Sequence, residues 1–254
     1  MQIFYNNYIT DTSLTASSAS EGYDVDNLKV SQLKKDFNFT GNNESVIMSF
    51  SNATEIKTFI VDMGNMSSTA TITLEGNATN VWTSPSYSQV LSKTDTAAYL
   101  LLDETYQYWR ITMDDSTVTT ITIGYLFIGG DYLQMPQIDP TVELFYNTTS
   151  STTISISGQV YGDRGYEFMD TTFNFPEITE DATTIQGIDV ATRKEVLTFF
   201  NTVHNNKPFW VFLFSNDLDE HPPLFCILAN KSLSMRMSSS KKCFSTTLSL
   251  REVK

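Results

Sequence analysis

The chain has 254 residues with 29 acids against 16 bases, a net charge of −13. That length is enough for two domains of ordinary size, and so large an acidic excess argues against a surface built to grip a polyphosphate backbone, so no nucleic-acid binding is expected. The 2 cysteines exclude a disulfide scaffold, and no apolar run approaches the ~18 residues of a membrane-spanning helix, so no membrane insertion is expected.

Met1-Gln2-Ile3-Phe4-Tyr5-Asn6-Asn7 is strand-like and polar, unlike a charged leader with an apolar core, so the chain is expected to be made in the cytoplasm. Ser13 to Ser20 is small and polar and leads into Tyr23 and Leu28, expected to plug one end of a sandwich. Ser45-Val46-Ile47-Met48-Ser49-Phe50, Ala70-Thr71-Ile72-Thr73-Leu74-Glu75 and Val118-Thr119-Thr120-Ile121-Thr122-Ile123 are short β-branched runs between Gly, Asn, Asp and Ser turns. Such spacing predicts a sandwich or barrel instead of parallel βαβ units. The two prolines of Met135-Pro136-Gln137-Ile138-Asp139-Pro140 cannot continue a ladder. They set the expected boundary: a first domain over 1–134, a linker over 135–140 and a second domain over 141–254. The first 140 residues hold 16 acids and 6 bases and the remainder 13 and 10, so the first domain is the more acidic.

In the second half, 143–146, 152–160 and 171–176 read as strands, with a turn over 161–166. A helix is predicted over about 189–204, capped by Asp189, with Val190, Val196, Leu197, Phe200 and Val203 forming its apolar stripe. Phe209-Trp210-Val211-Phe212-Leu213-Phe214 is an unbroken apolar run of the length of a strand buried on both faces. Phe200 is expected to pack against Trp210 and Phe212. After an acidic loop over 217–223, further strands are predicted at 224–228, 231–237 and 244–251. The fold class is therefore mainly β, a sandwich or barrel in the first half and an antiparallel β set with one packed helix in the second.

Little here reads as chemistry. His204 and His221 neighbour no Gly-x-Ser-x-Gly elbow, and Cys226, in Leu224-Phe225-Cys226-Ile227-Leu228, reads as a buried small hydrophobe. Cys226 and Cys243 are expected to be reduced, with pairing across a hairpin as the alternative. No Cys/His cluster suits zinc, and Asp24-Val25-Asp26-Asn27 and Asp217-Leu218-Asp219-Glu220 read as solvated turns. Asp103-Glu104 and Asp114-Asp115 are the pairs a glycosidase would need, but adjacent acids on a strand point to opposite faces, and both pairs read as turns. No enzymatic activity, cofactor or metal is expected. Aromatics offer a sugar platform instead, with Trp82 and Tyr87 the candidate glycan contacts among Trp82, Tyr87, Tyr99, Tyr106 and Tyr108. Trp109 shares the parity of Ile111 and is read as core.

Four phrases recur in an ordered set: Gly22-Tyr23-Asp24-Val25-Asp26-Asn27-Leu28, Ile56-Lys57-Thr58-Phe59-Ile60-Val61-Asp62-Met63-Gly64, Tyr108-Trp109-Arg110-Ile111-Thr112-Met113 and Ile123-Gly124-Tyr125-Leu126-Phe127-Ile128-Gly129. In this order they resemble the discoidin-like, or galactose-binding-like, jelly rolls carried by virion proteins of tailed bacteriophages. The order of elements over 141–254, with Pro208-Phe209-Trp210-Val211-Phe212 after the helix, is similar to the tail-tube or distal-tail hub of siphophages. The resemblance implies an N-terminal jelly-roll β-sandwich followed by a C-terminal β-barrel with one packed helix, in a structural protein of the virion tail tip that forms a homo-oligomeric ring, hexamer or trimer, among other tail proteins and displays the jelly roll outward. The alternative it implies is a carbohydrate-binding module that contacts a host-surface glycan.

Overall fold

The computed structural model describes residues 1–31, 35–136, 144–148, 151–154, 160–163, 167–181, 183–185, 188–203, 207–213, 223–230, 232–238 and 243–253. Within them the chain is mainly β with one α-helix, as the period-two runs predict. It divides into two compact units, Asn6–Tyr132 and Met1–Tyr5 with Leu133–Lys254.

The first unit is a β-sandwich of the jelly-roll type built on two long antiparallel partners, Asn43–Asp62 and Ala97–Asp114. At ~3.3 Å per residue such strands are too long for one layer of a small domain. Their pairing shifts register between Ser49 and Thr54 and again between Ile56 and Thr58, and at these breaks the ribbon turns. Before the breaks the neighbours are Ser13–Ala16 and Thr71–Asn77, and beyond them Leu126–Gly129 and Ser92–Lys93. Both halves face one core: Val46, Met48 and Phe50 come from one side of the breaks, and Ile56, Phe59 and Val61 from the other. Asp103 and Glu104 therefore lie within a strand, beside the second register shift, and not in a turn as the sequence suggests. Leu28 is buried as expected. Tyr23 is exposed, because Gly22, at φ 86°, turns the chain away before the short 3-10 helix Val25–Lys29.

Two buried carboxylates fasten loops of this unit. Glu44 accepts hydrogen bonds from the Ser17 and Ser18 hydroxyls. Asp115, only 2% exposed, accepts from the backbone N–H and hydroxyl of both Ser67 and Thr117. Burial would push its acidity constant up, but these four donors outweigh burial and hold the carboxyl at about 2.

The second unit contains an antiparallel sheet in which Leu133–Gln134, Gln2–Phe4, Phe209–Phe212, Leu224–Leu228, Cys243–Glu252, Glu167–Thr179 and Leu144–Thr148 lie side by side. Among the described residues no pairing joins its first strand to its last. The expected boundary also moves. Gln2–Phe4 belongs to this sheet, paired on one side with Leu133–Gln134 and on the other with Phe209–Phe212. Residues 1–5 and 133–134, assigned by sequence to the first domain, are thus part of the second unit, and Asn6–Tyr132 is an insertion between neighbouring strands. Of the expected linker, 137–140 lies outside the described residues.

The helix spans Arg193–Val203 and begins later than expected. Asp189 sits in the strand Ile188–Val190, and the cap is Thr192, whose hydroxyl accepts from Glu195 N–H while the Glu195 carboxylate accepts from Thr192 N–H. That is a capping box. The buried stripe is Val196, Phe199 and Val203, with Phe200 part-buried at its flank. Phe199 stands edge-on to Phe209 at 5.1 Å and to Tyr5 at 5.2 Å. Trp210 and Phe212 are buried as expected, but on the opposite face of their strand from Phe209 and Val211, the residues that share the helix's core. Both thus lie on the strand face away from the cluster that holds Phe199 and Phe209, whereas the sequence sets them against Phe200.

Phe199→Ala is expected to cost about 3–5 kcal/mol, the range for truncating a buried Phe, and Phe200→Ala clearly less; chemical denaturation of the two variants checks this, and equal losses would place the helix in a different register. Asp115 makes a pH prediction. Its folded constant lies below the ordinary carboxylate value near 4, so its contribution of about 2 kcal/mol is full above that value and is lost as pH falls toward 2. The stability gap between wild type and Asp115→Asn should therefore close between pH 5 and pH 2, and a gap that persists at pH 2 would contradict the assignment.

Candidate functional site

Alternation along Ala97–Asp114 sends Trp109 into the core and Arg110 to the opposite face of the sheet. Register brings Glu75 on one neighbouring strand and Ile47 on the other beside Arg110, with Ser88 next to Glu75. The Arg110 guanidinium meets the Glu75 carboxylate at 2.6 Å, and both side chains are largely shielded from water. Above this pair lies Trp82, with the guanidinium carbon 4.8 Å from its ring centroid.

The loop carrying Trp82 is fixed from below. Asn77, at the end of the strand Thr71–Asn77, donates its amide to the Val81 carbonyl. Its side-chain oxygen accepts from Ala78 N–H and from the Ser86 hydroxyl. Trp82 donates its indole N–H to Asn80 at 2.7 Å, so its polar atom is satisfied within the loop. A half-buried indole seated on a cation is thereby held in one position beside carboxylate, amide and hydroxyl groups. Such a surface can stack on the apolar face of a sugar ring while its rim exchanges hydrogen bonds with hydroxyls.

Tyr87, the other expected glycan contact, is placed elsewhere. Its register partner is Gly76, of inward parity, and its ring stands 5.9 Å from Trp109 and 6.3 Å from Tyr106. Tyr106 is itself edge-on to Trp109 at 5.3 Å. Gly76 allows this crowding, since a Cβ there would come within 2.5 Å of the Tyr106 ring. Burial, and then the charge of Glu104, raises the acidity constants of both phenols. Trp82 and Tyr87 therefore lie on opposite sides of the sheet. Tyr108 shares the parity of Arg110, whereas Tyr99 is buried.

The remaining chemistry-bearing residues do not converge. Asp114 is exposed and Asp115 buried in its hydrogen-bonded turn. Asp24 caps the 3-10 helix by accepting from Asp26 N–H, and Asp26 pairs with Lys29 at 2.8 Å. Among the described residues no three His, Cys, Asp or Glu side chains cluster as metal ligands. Cys226 is buried, and burial pushes its thiol well up. It lies opposite Glu252, nine positions along the strand from Cys243, about 30 Å at ~3.3 Å per residue and too far to bridge. His204, His221 and 217–222 lie outside the described residues.

No protein-family model matches the chain, and no curated protein matches it. Solved structures similar to it include a fucose binding module of Streptococcus pneumoniae, 7% identical with a TM-score of 0.43, covering 50% of this chain and 96% of that one. The family 32 CBM from C. perfringens NanJ, in complex with galactose, is 8% identical with a TM-score of 0.41, over 50% of this chain and 98% of that one. The CBM32 of AlyQ, in complex with 4,5-unsaturated mannuronic acid, is 19% identical with a TM-score of 0.40, over 52% and 99%.

The two aromatics should part in stability measurements. Tyr87→Ala opens a space against Trp109 and Tyr106 and is expected to lower the thermal midpoint by several degrees, whereas Trp82→Ala, which removes a half-buried ring from above Arg110, should shift it by about a degree or two. Equal shifts would mean that Tyr87 is not part of the core.

Proposed function

We propose that Asn6–Tyr132 is a non-catalytic carbohydrate-binding module. The observation that carries this reading is the Trp82 indole, set on the Arg110–Glu75 pair by a loop that Asn77 fastens. Binding a sugar requires an aromatic face and oriented polar groups that are already in place, because ordering them on contact would consume much of the interaction energy. Each element of that requirement is met by residues whose own hydrogen bonds are satisfied within the module. Arg110 and Glu75, paired with each other, present a donor and an acceptor to ring hydroxyls without either charge being left alone.

The test is a glycan panel applied to the full chain, with retention on neutral and acidic polysaccharides measured by affinity electrophoresis. Saturable binding that falls at least tenfold in Trp82→Ala, with the thermal midpoint preserved, is the expected result. Absence of binding to every glycan, or binding indifferent to Trp82→Ala, would defeat the proposal.

We propose a role for the second unit from its topology. The sheet of that unit ends, among the described residues, at Leu144–Thr148, which is paired on one side only. An unpaired strand edge is covered in most proteins, and another copy is the simplest cover. This supports the assembly role implied by the resemblance to tail-tip proteins, a ring of hexamer or trimer order in a virion tail. Light scattering at tens of micromolar protein should give the mass of a discrete oligomer, and a monomer would remove the ring.

A further inference from the structure

The second unit has a polar groove of its own. The strand Cys243–Glu252 pairs with Met235–Ser238 near its start and with Leu224–Leu228 near its end. Between these partners the middle of the strand is held by Asn230, whose side-chain oxygen accepts from Ser249 N–H and whose amide donates to the Thr247 carbonyl. A cleft of about 530 Å³ opens at this interruption, with Ser232, Ser234, Ser245 and Arg236 among its lining residues and Asn174 at its margin.

Two properties of the groove point one way. The hydroxyls of Ser232, Ser234 and Ser245 have no hydrogen-bond partner among the described residues, in contrast to those of Thr246 and Thr247, which donate to Ser234 O and Asn174 Oδ1. Arg236 is exposed, and among the described residues no carboxylate pairs with it.

We infer that this groove is a binding site for an anionic polyol, a polyhydroxylated ligand bearing a carboxylate or phosphate. Arg236 receives the anionic group through its forked N–H donors, and the serine hydroxyls, able both to donate and to accept, match successive ligand hydroxyls. The one aromatic in the lining, Phe175, is fully buried, so the groove has no stacking platform and a neutral sugar gains little from it. Recognition here differs in kind from that at Trp82. The two sites are independent, and each can fail alone.

The experiment is isothermal titration of the full chain with three probes: oligogalacturonate, a glycerol phosphate oligomer and neutral dextran oligosaccharide. Binding of one or both anionic probes is expected, the stronger identifying the source of the charge. Affinity should fall at least tenfold in Arg236→Gln and severalfold in Ser245→Ala, with Trp82→Ala unchanged. Circular dichroism of Arg236→Gln should match wild type, since the side chain is exposed. Failure of both anionic probes to bind, equal binding of dextran, or undiminished affinity in Arg236→Gln would each overturn the inference.

Discussion

The ladder between Asn43–Asp62 and Ala97–Asp114 is the constraint from which the first unit follows. Strict alternation on the near side of its register shifts puts Val46, Met48, Trp109 and Ile111 inside and leaves Ile47, Arg110 and Thr112 outside. A slip of one residue would bury the guanidinium and expose the indole of Trp109, an inversion that the filled core forbids. Everything at the candidate site inherits this register. Arg110 supports Trp82 because Trp109 is held below by Tyr87 and Tyr106, so a core decision on one face of the sheet becomes a surface decision on the other.

How much of this was legible depended on how local the deciding interaction is. Trp109 was readable from its parity with Ile111, and Trp210 and Phe212 from the unbroken apolar run that contains them. Phe199 and Phe200 are neighbours at 100° on one helix, so a period of 3.6 admits either into the stripe, and only the rings of Phe209 and Tyr5 select the first. The capping box at Thr192 and Glu195 is visible in the letters, but Asp189 offers an equally good cap three residues earlier, and strand pairing of Ile188–Val190 decides against it. Tyr87 was misplaced for a similar reason. Its face follows from its opposition to Gly76 on another strand, which no pattern within Tyr87–Val90 reveals. Least legible was Gln2–Phe4, whose partner Phe209–Phe212 lies some 200 residues away.

The acids of this chain divide into roles that composition alone merges. Asp115 and Glu44 are internal fasteners, each saturated by Ser or Thr donors, and Asp24 closes a turn. Glu75 is tied to Arg110. None of these carboxylates is set opposite another across a cleft, which is the arrangement that acid–base chemistry on a glycosidic bond needs.

The insertion of Asn6–Tyr132 also orders events during synthesis. Gln2–Phe4 leaves the ribosome before the inserted unit, and its partner Phe209–Phe212 emerges about 200 residues later, roughly 10–40 s at translation rates of about 5–20 residues per second. The inserted unit has all of its own strands well before then and can close during that interval. Until the later strand arrives, Ile3 and Phe4 remain an apolar segment with half its ladder unfilled, open to capture by another nascent chain on the same polysome. Slow translation past Leu133 would lengthen that exposure, making the yield of folded protein sensitive to codon choice in a stretch far from the residues at risk.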